Sequence, residues 1–215
     1  MNKQVSPGIL ENWLKAWAIS RELPLPVPYQ SGFRIAVGNR YQKERYVFTE
    51  PNDDFYQLCH LISDPWIYLK VCAASDQFIK NIPGRWILQP QGYMMSCFRP
   101  MNIPAIKLTE GYMVEFAHYN STFVVNILTE SKEQAAAGRV VLAGDLAVYD
   151  RIVTEEQHRR KGLASFLIGE LEKIALSKGV FNNFLVATEA GKSLYETLGW
   201  EVYSLYTSIV IPSKH

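Results

Sequence analysis

The first twenty residues carry apolar side chains at helical spacing. Ser6 stands where a helix cap belongs, and Pro7 falls in the first turn, where its missing N–H is not needed. The pattern therefore predicts a helix that buries one apolar stripe. The apolar residues that repeat at this spacing are Ile9, Leu10, Trp13, Leu14, Trp17 and Ala18.

Alternating prolines follow over residues 23–28, with the sequence LPLPVP. Proline lacks an N–H group and bars the preceding residue from the helical region, so this segment must be extended. The pattern favours a stiff connector between two packed elements; a docking ligand for a partner protein is the alternative.

Short apolar runs with period-two alternation fill most of the remaining chain. Between residues 33 and 98 they predict strands at 33–37, 45–49 and 66–72, a strand or hairpin at 86–98, and helices at 53–62 and 75–82. In the second half they predict strands at 112–119, 122–129, 135–143, 145–154, 184–187 and 202–211. Helices are expected at 161–178, with Gly179 as the residue that follows the helix end, and at 190–198.

An offset of 115 residues brings the two halves of the chain into correspondence. It aligns Val71 with Val186 and Gly84 with Gly199. Both windows then contain a strand, a short helix, a glycine turn, a tryptophan and a long strand. Either the chain contains a duplicated unit whose first copy has lost its glycine-rich turn, or two strand–helix–strand units are similar by chance.

Composition narrows the class of protein. The 215 residues have a formal net charge of +1 and are 48% hydrophobic, which is enough for a substantial core but gives no broad basic surface. We therefore expect no nucleic-acid partner. No apolar run reaches the roughly 18 residues that span a membrane, and no secretory signal opens the sequence, so we expect a cytoplasmic protein with no membrane partner. Three cysteines without a CxxC spacing suggest neither a disulfide framework nor a zinc site.

The most informative stretch is the junction between the predicted strand 145–154 and the predicted helix that follows it. Residues 159–164 (RRKGLA) have the form Arg-x-x-Gly-x-Ala. A helix N-terminus exposes unpaired N–H groups and the positive end of the helix dipole, so it attracts phosphate. A solvated cluster of charges is the alternative interpretation, and the glycine patterns of dinucleotide-binding folds and of Walker loops are absent.

With this loop in view, residues 135–211 resemble the C-terminal half of the GNAT superfamily of acyl-CoA N-acyltransferases. The loop matches the family's Arg/Gln-x-x-Gly-x-Gly/Ala pyrophosphate motif, and residues 194–200 (LYETLGW) match its later Leu-Tyr-x-x-x-Gly-aromatic motif. The resemblance implies an α+β fold, an α/β/α sandwich with a mixed, mostly antiparallel sheet. It places an acetyltransferase domain at 115–215 and an N-terminal lobe at 1–114, a degenerate GNAT-like repeat if the duplication is real.

The resemblance also implies which residues bind acetyl-CoA, the co-substrate. The end of the strand at 152–154 would pair with the pantetheine arm, and its divergence from the strand at 184–187 would form the cleft for the thioester. Thr188 replaces an asparagine that is common in the family, and it can still form a hydrogen bond to the pantetheine. The expected coenzyme-binding residues are Ile152, Val153, Thr154, Arg159, Arg160, Lys161, Gly162, Leu163, Ala164, Ser165 and Thr188.

Two residues are candidates for proton transfer. Tyr195 occupies the position where many family members keep a tyrosine that protonates the leaving thiolate, and a phenol with a pKa of about 10 suits that role; a core tyrosine is the alternative. Asp150 is the candidate base, since alternation puts it on the same side of the sheet as Thr154, although a salt bridge with Arg151 or another arginine explains it equally. Further candidate bases are Asp145, Glu189 and His118.

The expected activity is direct transfer of an acetyl group from acetyl-CoA to a primary amine of a small molecule or peptide. Neither a metal nor a covalent enzyme intermediate is needed. The alternative is a regulatory protein that binds acyl-CoA without transferring the acyl group. A pure interaction module built on the proline segment leaves both motifs unexplained. The family resemblance also makes a homodimer through exposed strands an option.

Overall fold

Twelve strands form one continuous twisted sheet in the computed structural model, which describes residues 5–213. The mixed sheet has mostly antiparallel neighbours, as expected. The strands are β1 (Val27–Tyr29), β2 (Gly32–Asn39), β3 (Gln42–Phe48), β4 (Ile67–Val71), β5 (Ile87–Leu88), β6 (Gly92–Cys97), β7 (Tyr112–Tyr119), β8 (Thr122–Thr129), β9 (Gln134–Ala143), β10 (Leu146–Thr154), β11 (Asn182–Thr188) and β12 (Glu201–Val210). The α-helices are α1 (Pro7–Ser20), α2 (Asp53–Leu61), α3 (Leu163–Ser177) and α4 (Glu189–Thr197).

The elements follow the predicted pattern closely, with one exception. The stretch 75–82 forms two single 3₁₀ turns, Ser75–Gln77 and Ile79–Asn81, instead of one short helix. Only Phe78, between the two turns, is fully buried there, so the segment lacks the apolar stripe that would hold a longer helix in place. The stretch 86–98, predicted as a strand or hairpin, is likewise divided, into β5 and β6.

Each half of the chain contains a parallel strand–helix–strand unit. In the first half, β3 and β4 are parallel neighbours joined through α2; in the second half, β10 and β11 are parallel neighbours joined through α3. The order of a strand, a helix and a parallel strand is thus the same in both units, and their origin by duplication stays a prediction.

The two units exchange their last strands. β6, which follows β4 and the two-residue strand β5 in the chain, pairs with β11 of the second unit. The strand that follows β11, β12, pairs with β4 of the first unit. β6 and β12 also pair with each other, at the centre of the sheet. Because β6 precedes residue 114 and yet lies beside β11, the sheet crosses from one half to the other; the division of the chain at 114 stays a prediction.

Helices cover both faces of the second unit. Alternation sends Tyr149 and Leu185 to the face covered by α3, and Val148 and Phe184 to the opposite face, where α1 packs. Gly138 allows α3 to approach, since a Cβ atom there would lie 2.5 Å from Ile152 Cδ1. The result is the expected α/β/α sandwich around two apolar cores.

The first unit has a separate core beneath α2 and shows no open strand pair. The pairing of β3 with β4 runs through all residues from Glu44 to Phe48. The start of α2 is capped by Asn52, whose side chain accepts the Phe55 N–H at 3.1 Å. One amide of this helix end is therefore satisfied internally, and Asp53 and Asp54 in the first turn add negative charge, which disfavours a phosphate here.

Candidate active site

The parallel strands β10 and β11 pair only at their beginnings. Three residue pairs join them, the last between Val148 and Phe184, and beyond this point the strands diverge. β10 continues to pair with β9 on its outer side up to Thr154, and β11 continues to pair with β6 up to Thr188. The facing edges beyond Val148 are thus free to bond to an extended chain laid between them.

A β-bulge in β10 changes the direction of the side chains at this split. Asp150 pairs with Arg139 and Val153 pairs with Ala137, so three steps on β10 match two steps on β9, and Arg151 takes a left-handed conformation with φ of 53°. The prediction that Asp150 and Thr154 share one side of the sheet is therefore wrong, because the extra residue breaks the alternation. Asp150 faces α1, and Thr154 faces α3.

The loop between β10 and α3 presents main-chain amides to solvent. Arg160 and Gly162 both adopt left-handed conformations, with φ of 63° and 75°. No side chain caps α3, and Phe166 donates its N–H to the carbonyl of Gly162 at 3.0 Å, so the amides before Phe166 point out of the helix end. Arg159, Arg160 and Lys161 are exposed around these amides, which fits an anionic pyrophosphate.

A hydrogen-bond chain fixes the shape of this loop. His158, in the turn Glu156–His158 and buried, has its Nδ1 2.9 Å from the hydroxyl of Tyr112, and Lys161 Nζ donates to the same hydroxyl at 2.9 Å. Arg159 Nε donates to the carbonyl of Thr154 at 3.2 Å. The basic loop is thereby tied to β7 and to the end of β10, so its amides are held in position.

The remaining predicted coenzyme residues surround the split. Ile152 packs toward α3, Val153 is exposed, and the buried hydroxyl of Thr154 has no hydrogen-bond partner among the described residues. Thr188 caps α4, accepting the N–H of Gly191 at 3.2 Å. One lone pair of the Thr188 hydroxyl oxygen is therefore already used to cap α4. Leu163, Ala164 and Ser165 form the first turn of α3, with Leu163 buried.

Asp150 is held by the end of α1. Arg21 donates to both carboxylate oxygens, from Nε at 3.1 Å and from Nη2 at 2.9 Å, and Ser20 Oγ donates at 2.7 Å. The side chain of Asp150 is 12% exposed. The salt bridge considered as the alternative is present, and its partner is Arg21, not Arg151.

Tyr195 lies on the other face of the sheet, in the core beneath α3 and α4. Its ring packs edge-on against Trp200, with 5.8 Å between ring centroids. Burial raises the pKa of Tyr195 well above its ordinary value, and the negative charge of Asp150 adds to the effect. Its phenol therefore stays protonated at neutral pH, the form that a general acid requires.

The three further candidate bases lie in different places. Asp145 bonds to Asn182 Nδ2 at 3.1 Å, at the closed end of the strand pair, and His118 stacks on Phe123 at the β7–β8 edge. Glu189, at the start of α4, accepts a hydrogen bond from the hydroxyl of Tyr93 and borders the cavity at the split.

A cavity of about 500 Å³, here called the central cavity, opens beside the split on the face covered by α1. Asp150 and Glu189 lie on its wall, with the edges of β10 and β11 between them. Tyr195 is not among the described residues that line it. The opposite wall carries side chains of α1 and the residue after it, of β3 and β4, and of β12: Trp13, Trp17, Arg21, Arg45, Lys70, Tyr206 and Ser208.

Sequence reasoning missed the basic side chains of this wall. Arg45 and Val47 lie two positions apart in β3, so their side chains point to the same face of the strand. Val47 is fully buried, and a charged residue at such an inward position could have been recognised from the sequence. Lys70 lies between the buried Leu69 and Val71, so alternation puts it on the other face of β4 and the sequence pattern does not mark it as an inward residue. Arg21 follows the end of α1. Its place at the cavity depends on the packing of α1 against β10, which the sequence pattern does not show.

Comparison with known proteins agrees with this geometry. The sequence profile of the Acetyltransferase (GNAT) family matches residues 93–200, half of the chain, and the chain belongs to this family. Acyl transfer from acetyl-CoA to an amine is the general activity of such proteins. A comparison with curated protein sequences finds no match.

Three solved structures share the whole fold. A GCN5-related N-acetyltransferase from Kribbella flavida is 12% identical, with 98% of this chain and 97% of that chain covered and a TM-score of 0.66. Another, from Sphaerobacter thermophilus, is 10% identical over 99% and 96% of the two chains, with a TM-score of 0.60. A tandem GNAT protein from the clavulanic acid biosynthesis pathway is 9% identical over 97% and 96%, with a TM-score of 0.58. The predicted fold class is confirmed.

Within residues 5–213, no helix is both long and apolar enough to cross a membrane. The same residues contain no group of three or more His, Cys, Asp or Glu side chains placed to hold a metal ion. All three cysteines are buried and free, and burial raises the pKa of Cys59 and Cys72 to about 12.

Proposed function

We propose that this protein transfers the acetyl group of acetyl-CoA to the primary amine of a small molecule or peptide. The proposal rests on the relative positions of three features of the site. The open amides of α3, the unpaired edges of β10 and β11, and the central cavity follow one another, so a phosphate-bearing thioester and an amine have adjoining sites.

The residues present fit coenzyme A. The amides from Arg159 to Ala164, with Ser165, would hold the pyrophosphate, since an uncapped helix end and three exposed cations favour that charge. The free edge of β10 from Ile152 to Thr154 would bond to the amide groups of the pantetheine arm, with Thr188 opposite. Bound acetyl-CoA supplies an acyl thioester at the split.

Proton transfer falls to groups on the two faces of the sheet. Tyr195 would protonate the departing thiolate from the face covered by α3, since burial keeps the phenol protonated until the thiolate forms. Asp150 would receive the proton from the amine on the face covered by α1, directly or through water. Its bonds to Arg21 and Ser20 hold the carboxylate at the cavity wall.

Titration calorimetry with acetyl-CoA and with free coenzyme A tests the loop. We expect micromolar binding by the wild type and at least a hundredfold weaker binding by an Arg159→Glu/Gly162→Glu variant. The matched control is Arg40→Glu/Gly38→Glu, which makes the same charge change and also replaces a left-handed glycine, in the exposed β2–β3 turn. Absence of binding to the wild type would overturn the proposal.

A second candidate function is an acyl-CoA-binding regulatory protein that performs no transfer. The observation that favours it is the complete engagement of Asp150, whose two oxygens accept three hydrogen bonds. Release of free thiol from acetyl-CoA in the presence of a panel of amines separates the two functions. Coenzyme binding without amine-dependent thiol release would favour the regulatory protein.

A further inference from the structure

The first unit contributes basic side chains to the central cavity. Arg45 projects from β3 and Lys70 from β4, and both lie on its wall across from the split between β10 and β11. Arg21, at the end of α1, is the third cation, and Asp150 neutralises it. The wall that faces the reacting atoms therefore has a positive charge that the protein only partly compensates.

Neither Arg45 nor Lys70 has an acidic partner. No carboxylate of residues 5–213 lies within 4.0 Å of either side chain. Arg45 is 8% exposed, and its guanidinium stacks 3.7 Å from the centroid of a Trp17 ring and reaches Gln42 Oε1 at 3.4 Å. Lys70 is half-buried, and its Nζ donates to Ser208 Oγ at 2.6 Å, with the ring of Tyr206 5.3 Å away.

A tyrosine hydroxyl lies on the same wall. The hydroxyl of Tyr206 is buried, borders the cavity and lies beside the Arg45 guanidinium, and no described residue accepts its O–H. Buried charges without a counter-charge and buried O–H groups without an acceptor cost free energy, which a ligand that completes the arrangement would recover. Two cations and a donor hydroxyl on one wall match a carboxylate or a phosphate group.

We propose that the acceptor is a small amine that also carries an anionic group, a carboxylate or a phosphate, bound by Arg45, Lys70 and Tyr206. This inference rests on the proposed acetyl transfer. With its anionic end on this wall, the acceptor directs its amine toward Asp150 and the split. The amine nitrogen bonds to the acyl carbon as the C–S bond breaks; the proton lost by nitrogen goes to Asp150, and the thiolate takes one from Tyr195.

The cavity sets the size of the acceptor. A volume of about 500 Å³ holds an amino acid or an aminoalkyl phosphate with room for its side chain. Its walls combine indole faces of Trp13 and Trp17 with the charged groups, so the middle of the acceptor meets apolar surface. The structure thus favours a zwitterionic small molecule over a polyamine, whose second ammonium group would face Arg45 and Lys70.

Matched acceptor pairs test the proposal. The panel contains α-, β- and ω-amino acids and aminoalkyl phosphates, each beside the same amine with its carboxylate converted to a carboxamide or its phosphate removed. We expect the best anionic amine to exceed its neutral partner at least a hundredfold in kcat/KM. In Lys70→Met the ratio of the two kcat/KM values should fall at least tenfold, because KM for the anionic amine rises. Lys43→Met, which replaces an exposed lysine of β3, should leave the ratio unchanged.

Binding measurements keep the two proposals separable. Calorimetry first establishes that wild type and Lys70→Met bind acetyl-CoA equally; a wild type that fails here overturns the transfer itself. Thermal shifts with the same panel then report acceptor binding without turnover. The proposed acceptor is wrong if no anionic amine stabilises the wild type more than it stabilises Lys70→Met. It is also wrong if Lys70→Met weakens the use of succinyl-CoA and not the use of anionic amines.

Discussion

Arg21 and Asp150 form a two-point ion pair that joins the end of α1 to the bulge of β10. The contacts are 2.9 and 3.1 Å long, and Ser20 adds a third hydrogen bond to the same carboxylate. The carbonyl of Ser20 in turn accepts hydrogen bonds from Tyr119 at 2.7 Å and from Arg139. A helix from the beginning of the chain thus fixes the strand on which the candidate chemistry depends.

This ion pair should be energetically coupled. We expect Arg21→Gln and Asp150→Asn each to lower the free energy of unfolding by about 1–3 kcal/mol, because each leaves a largely buried polar partner unsatisfied. The double variant should fall short of the sum by about 1 kcal/mol or more. Urea denaturation measures the cycle. As control, Lys15→Gln, which breaks the exposed pair with Glu11, should change stability by less than about 0.5 kcal/mol. Strict additivity would contradict the coupling.

Removal of the Tyr195 hydroxyl should affect turnover and not coenzyme binding. We expect Tyr195→Phe to lower kcat more than tenfold, since phenylalanine has no proton to give to the thiolate, and to leave the Kd for coenzyme A within twofold. Tyr41→Phe, an exposed tyrosine of the β2–β3 turn, is the control. Unchanged steady-state turnover in Tyr195→Phe would leave the tyrosine with a packing role only.

Because Gly162 adopts a left-handed conformation, its replacement should lower the free energy of unfolding through main-chain strain. A Cβ atom at this position would meet Ile106 Cγ2 at 3.5 Å, an ordinary contact, so Gly162→Ala should cost about 1 kcal/mol through its φ of 75° alone. Gly38→Ala, with φ of 70° and open space around it, should cost about the same. Only Gly162→Ala should weaken coenzyme A binding, by calorimetry; equal affinities in both variants would contradict the role of the loop.

Lys70 should make stability depend on pH in a definite direction. Removal from water lowers the pKa of Lys70 well below its ordinary value, and Arg45 and Arg21 add to the effect. Between that lowered pKa and about 10.4 the unfolded chain binds more protons than the folded one, so stability rises with pH across this window. Lys70→Met should therefore be more stable than the wild type by roughly 1–2 kcal/mol at pH 6, with the gap closing toward pH 10.

The measurement is urea denaturation of both proteins at several pH values between 6 and 10. Lys43→Met removes an exposed lysine of the same half and should follow the wild type throughout. A constant difference between Lys70→Met and the wild type across the range would show that Lys70 does not titrate abnormally.

Most of the fold was accessible from the sequence because its elements are regular. The strands at 112–119 and 122–129 have the predicted bounds, since alternation and a tight turn define them locally. The helix α3 and its loop were identified from periodicity and from Arg159 to Ala164. Local patterns of this kind need no knowledge of the partner elements.

The remainder depends on contacts between distant segments. The bulge at Arg151 has no local sequence signature, and it puts Thr154 on the opposite side of the sheet from Asp150, against strict alternation. The pairing of Arg21 with Asp150 joins residues 129 positions apart. Lys70 became a cavity residue only because β12 of the second unit lies beside β4.

The exchange of terminal strands has a consequence for how the chain is made. While a ribosome is still adding residues, the edge of β4 stays without its neighbour until residues 201–210 have emerged, so the first unit cannot complete its sheet ahead of the second. A stalled product that lacks β12 leaves two open edges, on β4 and on β6, ready to pair with other nascent chains. Completion of the sheet is thereby postponed until β12 has been made, and termination before that point becomes an aggregation hazard.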